Sequence, residues 1–161
     1  MLRLIALCAA LFVVTAGPAF AQSNINLGGI AVDTSAAIEV TADSLSVDQA
    51  SGKAVFNGNV IIVQGDLRLT AGRVEVLYGT DTSQIARLIA TEAVTFVTAE
   101  EAAEAQEADD DVTTGLLILA GDVLLTQGPS AISADQMTIN VTDGTAAMDG
   151  RVRTVLQQGD N

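Results

Sequence analysis

Histidine and tryptophan are absent from this 161-residue chain, and cysteine occurs once, as Cys8. Without histidine the commonest acid–base group and metal ligand is missing. Without a second cysteine there is no disulfide and no thiolate pair. Aromatic residues are scarce, four Phe and one Tyr, so a glycosidase-like carboxylate pair would lack the usual aromatic platform for a sugar. No Gly-x-Ser-x-Gly elbow and no glycine loop followed by lysine occurs. The reading is a protein without chemistry of its own, without a cofactor and without a metal. Basic residues are also few: 7 Lys and Arg stand against 20 Asp and Glu, a net charge of −13. Nucleic acid needs clustered cations and is excluded as a partner, and an anionic membrane surface is disfavoured for the same reason.

What is present begins with an export signal. Arg3 is followed by an apolar run from Leu4 to Ala16 and then by Gly17-Pro18-Ala19-Phe20-Ala21. A positive start, a short apolar core and an Ala-x-Ala end mark a secretory signal peptide over residues 1–21. The run is short for a spanning helix, which needs about 20 apolar residues. Cleavage is expected between Ala21 and Gln22, and Cys8 leaves with the signal. Residues 22–37 are small and polar and are expected to form a flexible leader. Residues 158–161 make a polar tail.

Residues 58–65, Gly-Asn-Val-Ile-Ile-Val-Gln-Gly, recur as residues 121–128, Gly-Asp-Val-Leu-Leu-Thr-Gln-Gly, and Gly150-Arg151-Val152 is a truncated echo. Apolar runs bounded by glycines read as strands with turns or bulges at their ends. The interval from Gly58 to Ala71 equals that from Gly121 to Ala134. The interval from Asp43 to Gly58 equals that from Asp135 to Gly150. A diverged copy runs from Ala90 to Phe96, with Glu92 where the glycine would stand. The repeat is about 29 residues, too small to bury its own apolar face, so copies must stack.

Within the repeats the apolar alternation slips by one residue. Val40 and Ala42 change phase at Asp43-Ser44 to become Leu45 and Val47. Leu67, Leu69 and Ala71 change at Gly72-Arg73 to become Val74, Val76 and Tyr78. Ile132 and Ala134 change at Asp135-Gln136 to become Met137, Ile139 and Val141. One extra residue flips every later side chain, so the inward face survives only if the backbone bends. These pairs are therefore corners, which gives Asp43 and Asp135 a structural role rather than a catalytic or ligating one.

Residues 98–111 depart from this scheme. They are rich in Ala and Glu and concentrate much of the negative charge, which suits a solvated loop or a short frayed helix inserted between strands. The consecutive Asp109, Asp110 and Asp111 lack the alternate spacing of a calcium loop.

On these phases one face carries Leu45, Val47, Phe56, Val60, Ile62, Val74, Val76, Val94, Phe96, Leu117, Leu119, Val123, Leu125, Met137, Ile139, Met148 and Val152. Periodicity alone fits a filled sandwich core and an apolar channel equally, and composition favours the filled core. Runs that are apolar on both faces, with few aromatic fillers and many aliphatic walls, suit a channel for lipid chains. Each buried methylene would contribute about 0.8 kcal/mol there.

The opening Ile38-Glu39-Val40-Thr41-Ala42-Asp43-Ser44-Leu45, the segment Val55-Phe56-Asn57-Gly58-Asn59-Val60, the phase-changing corners and the Gly-x-Val strands together resemble the OstA-like family of lipopolysaccharide-transport proteins. The resemblance covers residues 38–157. It implies an all-β fold, a V-shaped jellyroll of stacked antiparallel strands, with lipopolysaccharide acyl chains held between two sheets by the residues named above. It also implies a periplasmic bridge from an inner-membrane transport component to an outer-membrane assembly protein. Edge strands would join these partners, or copies of the chain head to tail. The rival reading is an assembly module with a packed interior that acts by edge pairing alone, or the periplasmic domain of another transport component. Residues 98–111 and Glu92 depart from the family pattern.

Overall fold

The computed structural model describes residues 24–26, 35–80 and 84–155. Eleven strands follow one another: β1 (Asn24–Asn26), β2 (Glu39–Thr41), β3 (Ser44–Asp48), β4 (Lys53–Gln64), β5 (Leu67–Tyr78), β6 (Ile85–Val97), β7 (Glu101–Asp111), β8 (Leu116–Gln127), β9 (Ser130–Asn140), β10 (Thr145–Asp149) and β11 (Arg153–Val155). Every pairing is antiparallel, and the path runs β1-β10-β9-β8-β7-β6-β5-β4-β2, with β3 on β4 and β11 on β9. From β3 to β10 each strand pairs with the next in sequence, as short connections and hairpin turns dictate, whereas β1 lies at the opposite end of the path from β2.

The six long strands, β4 to β9, share one irregularity. The register shifts between Asn57 and Val60, Thr70 and Arg73, Thr91 and Val94, Glu104 and Glu107, and Ala120 and Val123. These shifts form a continuous line across the stack. At each end of the stack the line becomes a break between strands, at Asp43 between β2 and β3 and at Gly150 between β10 and β11. The three phase slips in the sequence all fall on this line. Each long strand therefore gives half its length to one layer and half to a second layer folded over it.

The line is built from a recurrent pair of left-handed residues. Gly58 and Asn59 have φ of 79° and 46°, Gly121 and Asp122 have 83° and 47°, and Gly150 and Arg151 have 76° and 44°. Glu92 and Ala93, at 68° and 58°, adopt the same pair without a glycine. The equal intervals in the sequence have a physical cause here. Asp43 N–H donates to the Gly58 carbonyl at 2.9 Å, and Asn59 Nδ2 donates to the Asp43 carboxylate at 2.8 Å. At the other end Asp135 N–H donates to the Gly150 carbonyl at 2.9 Å, and Arg151 Nε donates to the Asp135 carboxylate at 2.8 Å. The Arg151 guanidinium holds the Asp135 carboxyl below its usual range, mainly by this hydrogen bonding. Both aspartates lock corners.

Along the bend, neighbouring strands set large residues beside small ones. Val60 pairs with Ala71, Val94 with Ala105 and Val123 with Ala134, a large residue against a small one each time. All six are buried. Beyond them lie Phe96, Leu119, Leu125, Met137 and Ile139, the largest side chains wholly withdrawn from solvent. The outer faces carry ion pairs such as Lys53–Glu75 and Arg87–Asp109.

Two expectations need correction. Residues 98–111 are not a loop or a frayed helix, because Glu101–Asp111 is a full strand, β7, in the middle of the stack. Ala103, Ala105 and Ala108 are buried while Glu104, Gln106 and Glu107 are exposed, and the register shift between Glu104 and Glu107 restores the inward face. Alanine's preference for helix is less than 1 kcal/mol per residue, and two flanking strands that supply partners for the β7 backbone override it. The leader is also not wholly irregular, because Asn24–Asn26 pairs with Ala147, Ala146 and Thr145 of β10. The cleavage site at Ala21 and Gln22 and the tail at 158–161 lie outside the described residues.

The bend predicts opposite effects at two equivalent positions. Gly58→Ala places a methyl group on the Asp43 carboxylate at a left-handed φ and should lower unfolding free energy by about 3 kcal/mol. Glu92→Gly removes a side chain from a left-handed φ and should raise it by about 1 kcal/mol. Urea denaturation followed by circular dichroism checks both signs.

Candidate functional site

Away from the bend the layers part. Between them lies a cavity of about 360 Å³. One wall comes from Ile62, Leu69 and Phe96, the other from Leu88, Ala90, Ala108 and Leu117, and Ile38, Leu67 and Val141 close its sides. None of the Val–Ala pairs at the bend reaches it. The interior is thus filled at the apex of the V and open toward its mouth, so the filled core and the channel each describe one part of the same space.

Small residues create the opening. Ala90 of β6 pairs directly with Ala108 of β7. In the same row, β5 offers Val74 and β8 offers Leu119. Two adjacent alanines leave a hollow that valine or leucine would fill, and Phe96 stands across it.

Of the inner-wall residues expected from the sequence, Ile62, Phe96 and Leu117 line the cavity. Val60, Val74, Val76, Val94, Leu119, Val123, Leu125, Met137, Ile139 and Met148 are buried around it or at the bend, and Phe56 is half-buried. Leu45, Val47 and Val152 are not enclosed, with 53%, 61% and 48% of their surface exposed. Their phase is right, since Leu45 pairs with Phe56 and Val47 with Ala54. They stand at the ends of the stack, where no further strand among the described residues covers them. Leu69, Leu88, Ala90, Ala108 and Asp110 were missed as wall residues. The Leu88–Ala90 alternation in β6 was a usable signal. Asp110 was hidden by the composition of its neighbours.

Asp110 is the one ionisable side chain among the described residues that line the cavity. It faces inward between Leu88 of β6 and Leu117 of β8, while its neighbour Asp109 is bound by the Arg87 guanidinium, with Nε donating at 2.6 Å. Asp111 turns into the loop, where it accepts from the Thr113 hydroxyl at 2.5 Å and from the N–H groups of Thr113 and Thr114 at 3.0 and 3.1 Å. These contacts hold the Asp111 carboxyl below its ordinary range, the Thr113 hydroxyl contributing most. Burial, reinforced by Asp111 and Asp109, raises Asp110 to about 6. A second inward carboxylate, Glu101, is 3% exposed and accepts from Gln127 Nε2 at 2.7 Å, away from the cavity.

The family model of the LptA/(LptD N-terminal domain) LPS transport proteins matches residues 39–145. The chain belongs to this family. LptH, described as the LptA homologous periplasmic component of the lipopolysaccharide transport device of Pseudomonas aeruginosa, has a similar fold. Its TM-score is 0.71 at 17% identity, over 79% of this chain and 99% of LptH. A relative in Rhizobium meliloti (strain 1021), an uncharacterized protein, is 28% identical over 153 residues, which are 88% of this chain and 82% of its own. The all-β jellyroll and the OstA-like, LptA-like assignment both follow.

The Asp110 carboxyl makes stability depend on pH with a definite sign. Its folded value is above the unfolded one, so between about pH 4 and 6 the folded state holds more protons. Stability falls as pH rises through that window. Asp110→Asn removes the cost, so the variant should match the parent below pH 4 and exceed it in Tm by several degrees at pH 7.5. A thermal-melt series from pH 3.5 to 8 checks this.

Proposed function

We propose that this chain is a periplasmic carrier that receives lipopolysaccharide acyl chains between its two layers and passes them on without chemistry. The observation that supports this reading is the apolar cavity, set in the interior of a chain that belongs to an LPS transport family. Burial of aliphatic chains against Ile62, Leu69, Leu88, Phe96 and Leu117 supplies the attraction. The sugar and phosphate head stays in water, because few cations are available to hold it. Residues 1–21 direct export and are removed before Gln22.

The ends of the stack are the docking sites. The outer edge of β2 and β3 at one end, and of β1 and β11 at the other, present unpaired backbone groups beside exposed Leu45, Val47, Val152 and Val155. Such edges accept strands from another molecule. The partners are an inner-membrane transport component at one end and an outer-membrane assembly protein at the other. Unlike edges joined head to tail also give an open homo-oligomer.

A photoreactive residue at Ile62 or Phe96 should crosslink to lipopolysaccharide, and one at the exposed Leu124 should not. Absence of adducts at every inward position, in a folded protein, refutes the carrier. Deleting residues 151–161 removes β11 and should reduce oligomer mass in light scattering while the monomer still folds. An unchanged mass refutes the edge as a docking site.

A further inference from the structure

An ionisable group in an apolar cavity is costly unless something it binds offsets the cost. Asp110 fits this case. It lines the space between the layers, and its carboxylate has no hydrogen-bond or ion-pair partner among the described residues. Among the described residues, those that line the cavity offer no cation. Leu88 and Leu117 flank it on β6 and β8, Ile62, Leu69 and Phe96 face it from the other layer with the neutral Gln64, and the charges nearest along its own strand are Asp109 and Asp111. The Arg87 guanidinium, on the strand beside it, is engaged by Asp109 on the outer face. The cavity is therefore apolar over most of its wall and carries one carboxylate that no donor among the described residues satisfies.

We propose that Asp110 is a specificity-determining residue: the cavity takes an aliphatic chain bearing a hydrogen-bond donor, a hydroxyl or an ammonium, and rejects a chain that ends in a carboxylate. This rests on the carrier reading above and deepens it by assigning the head chemistry that the wall accepts. A donor on the chain gives the Asp110 carboxylate a partner that the described residues do not supply, whereas an anionic chain end brings like charge against it beside apolar walls. An ordinary alkyl pocket also disfavours a carboxylate through its desolvation, so the part due to Asp110 is the part that disappears in Asp110→Asn.

The test is displacement of the apolar dye N-phenyl-1-naphthylamine from the full chain by dodecanol, dodecylamine and dodecanoate at pH 7.5 and 5.0. The ratio of dodecanol to dodecanoate affinity at pH 7.5 should fall about tenfold in Asp110→Asn relative to the parent, and the dodecylamine to dodecanoate ratio should fall as well. In the parent the dodecanol to dodecanoate ratio should narrow at pH 5.0, where Asp110 is largely neutral, by more than it narrows in Asp110→Asn. Loss of only one of the two ratios assigns the donor as hydroxyl or as ammonium. Dye binding with both ratios unchanged by the substitution overturns the selectivity and leaves the carrier standing. No dye binding to parent or variant at either pH overturns both.

Discussion

One constraint organises the whole molecule: a strand alternates its faces with period two, yet the inward residues of β5, β7 and β9 slip by one position at the middle, at Ala71/Val74, Ala105/Ala108 and Ala134/Met137. Left flat, such a strand would turn its apolar half outward, out of step with β4, β6 and β8, whose inward residues keep one phase throughout. The chain resolves this by placing left-handed pairs at Gly58-Asn59, Glu92-Ala93, Gly121-Asp122 and Gly150-Arg151, one in every second strand, so that all strands bend along the same line. The corner aspartates and the equal intervals between them and their glycines serve that line. A single misplaced bulge would leave its strand out of phase with both neighbours, which is why the spacing is kept even where the glycine is not.

The bend then decides where the interior can be full. Near it the layers converge, and neighbouring strands there carry valine beside alanine, all of them buried. Away from it they diverge, and side chains of ordinary size no longer meet. Leucine and methionine close the gap toward β8, β9 and β10, where Leu119, Met137 and Ile139 are wholly buried. Across β6 and β7 the facing residues are alanines, and the gap stays open. An apolar core and an apolar cavity are successive stretches of one wedge, which is why periodicity could not choose between them.

The corners were legible because a phase slip is visible residue by residue, and the inward phase of the long strands followed from it. Two kinds of information were not legible. Cover was one: Leu45, Val47 and Val152 alternate correctly, yet their exposure depends on whether another strand lies beyond, which no local pattern records. Strand β7 was the other. Ala103, Ala105 and Ala108 are inward in the same slipped rhythm as elsewhere, but alanine is too small to register as an apolar position and the glutamates between them suggest helix. Its strand conformation comes from β6 and β8, which leave it no alternative way to satisfy its own backbone.

That same strand explains how an apolar cavity can exist in so acidic a protein. On β7 the outward positions Glu104, Glu107 and Asp109 keep the sheet face wet, and the inward alanines supply volume rather than attraction. A strand of valines there would have closed the space and contributed burial. The sequence thus gives up packing energy at Ala90 and Ala108, and accepts a charge at Asp110, at one place in the wedge. The other inward carboxylate, Glu101, lies away from the cavity and accepts from Gln127 Nε2. Lost packing and a partly buried carboxylate are each destabilising, and the two coincide where the layers have parted, which is why the wedge is filled at the bend and open beyond it.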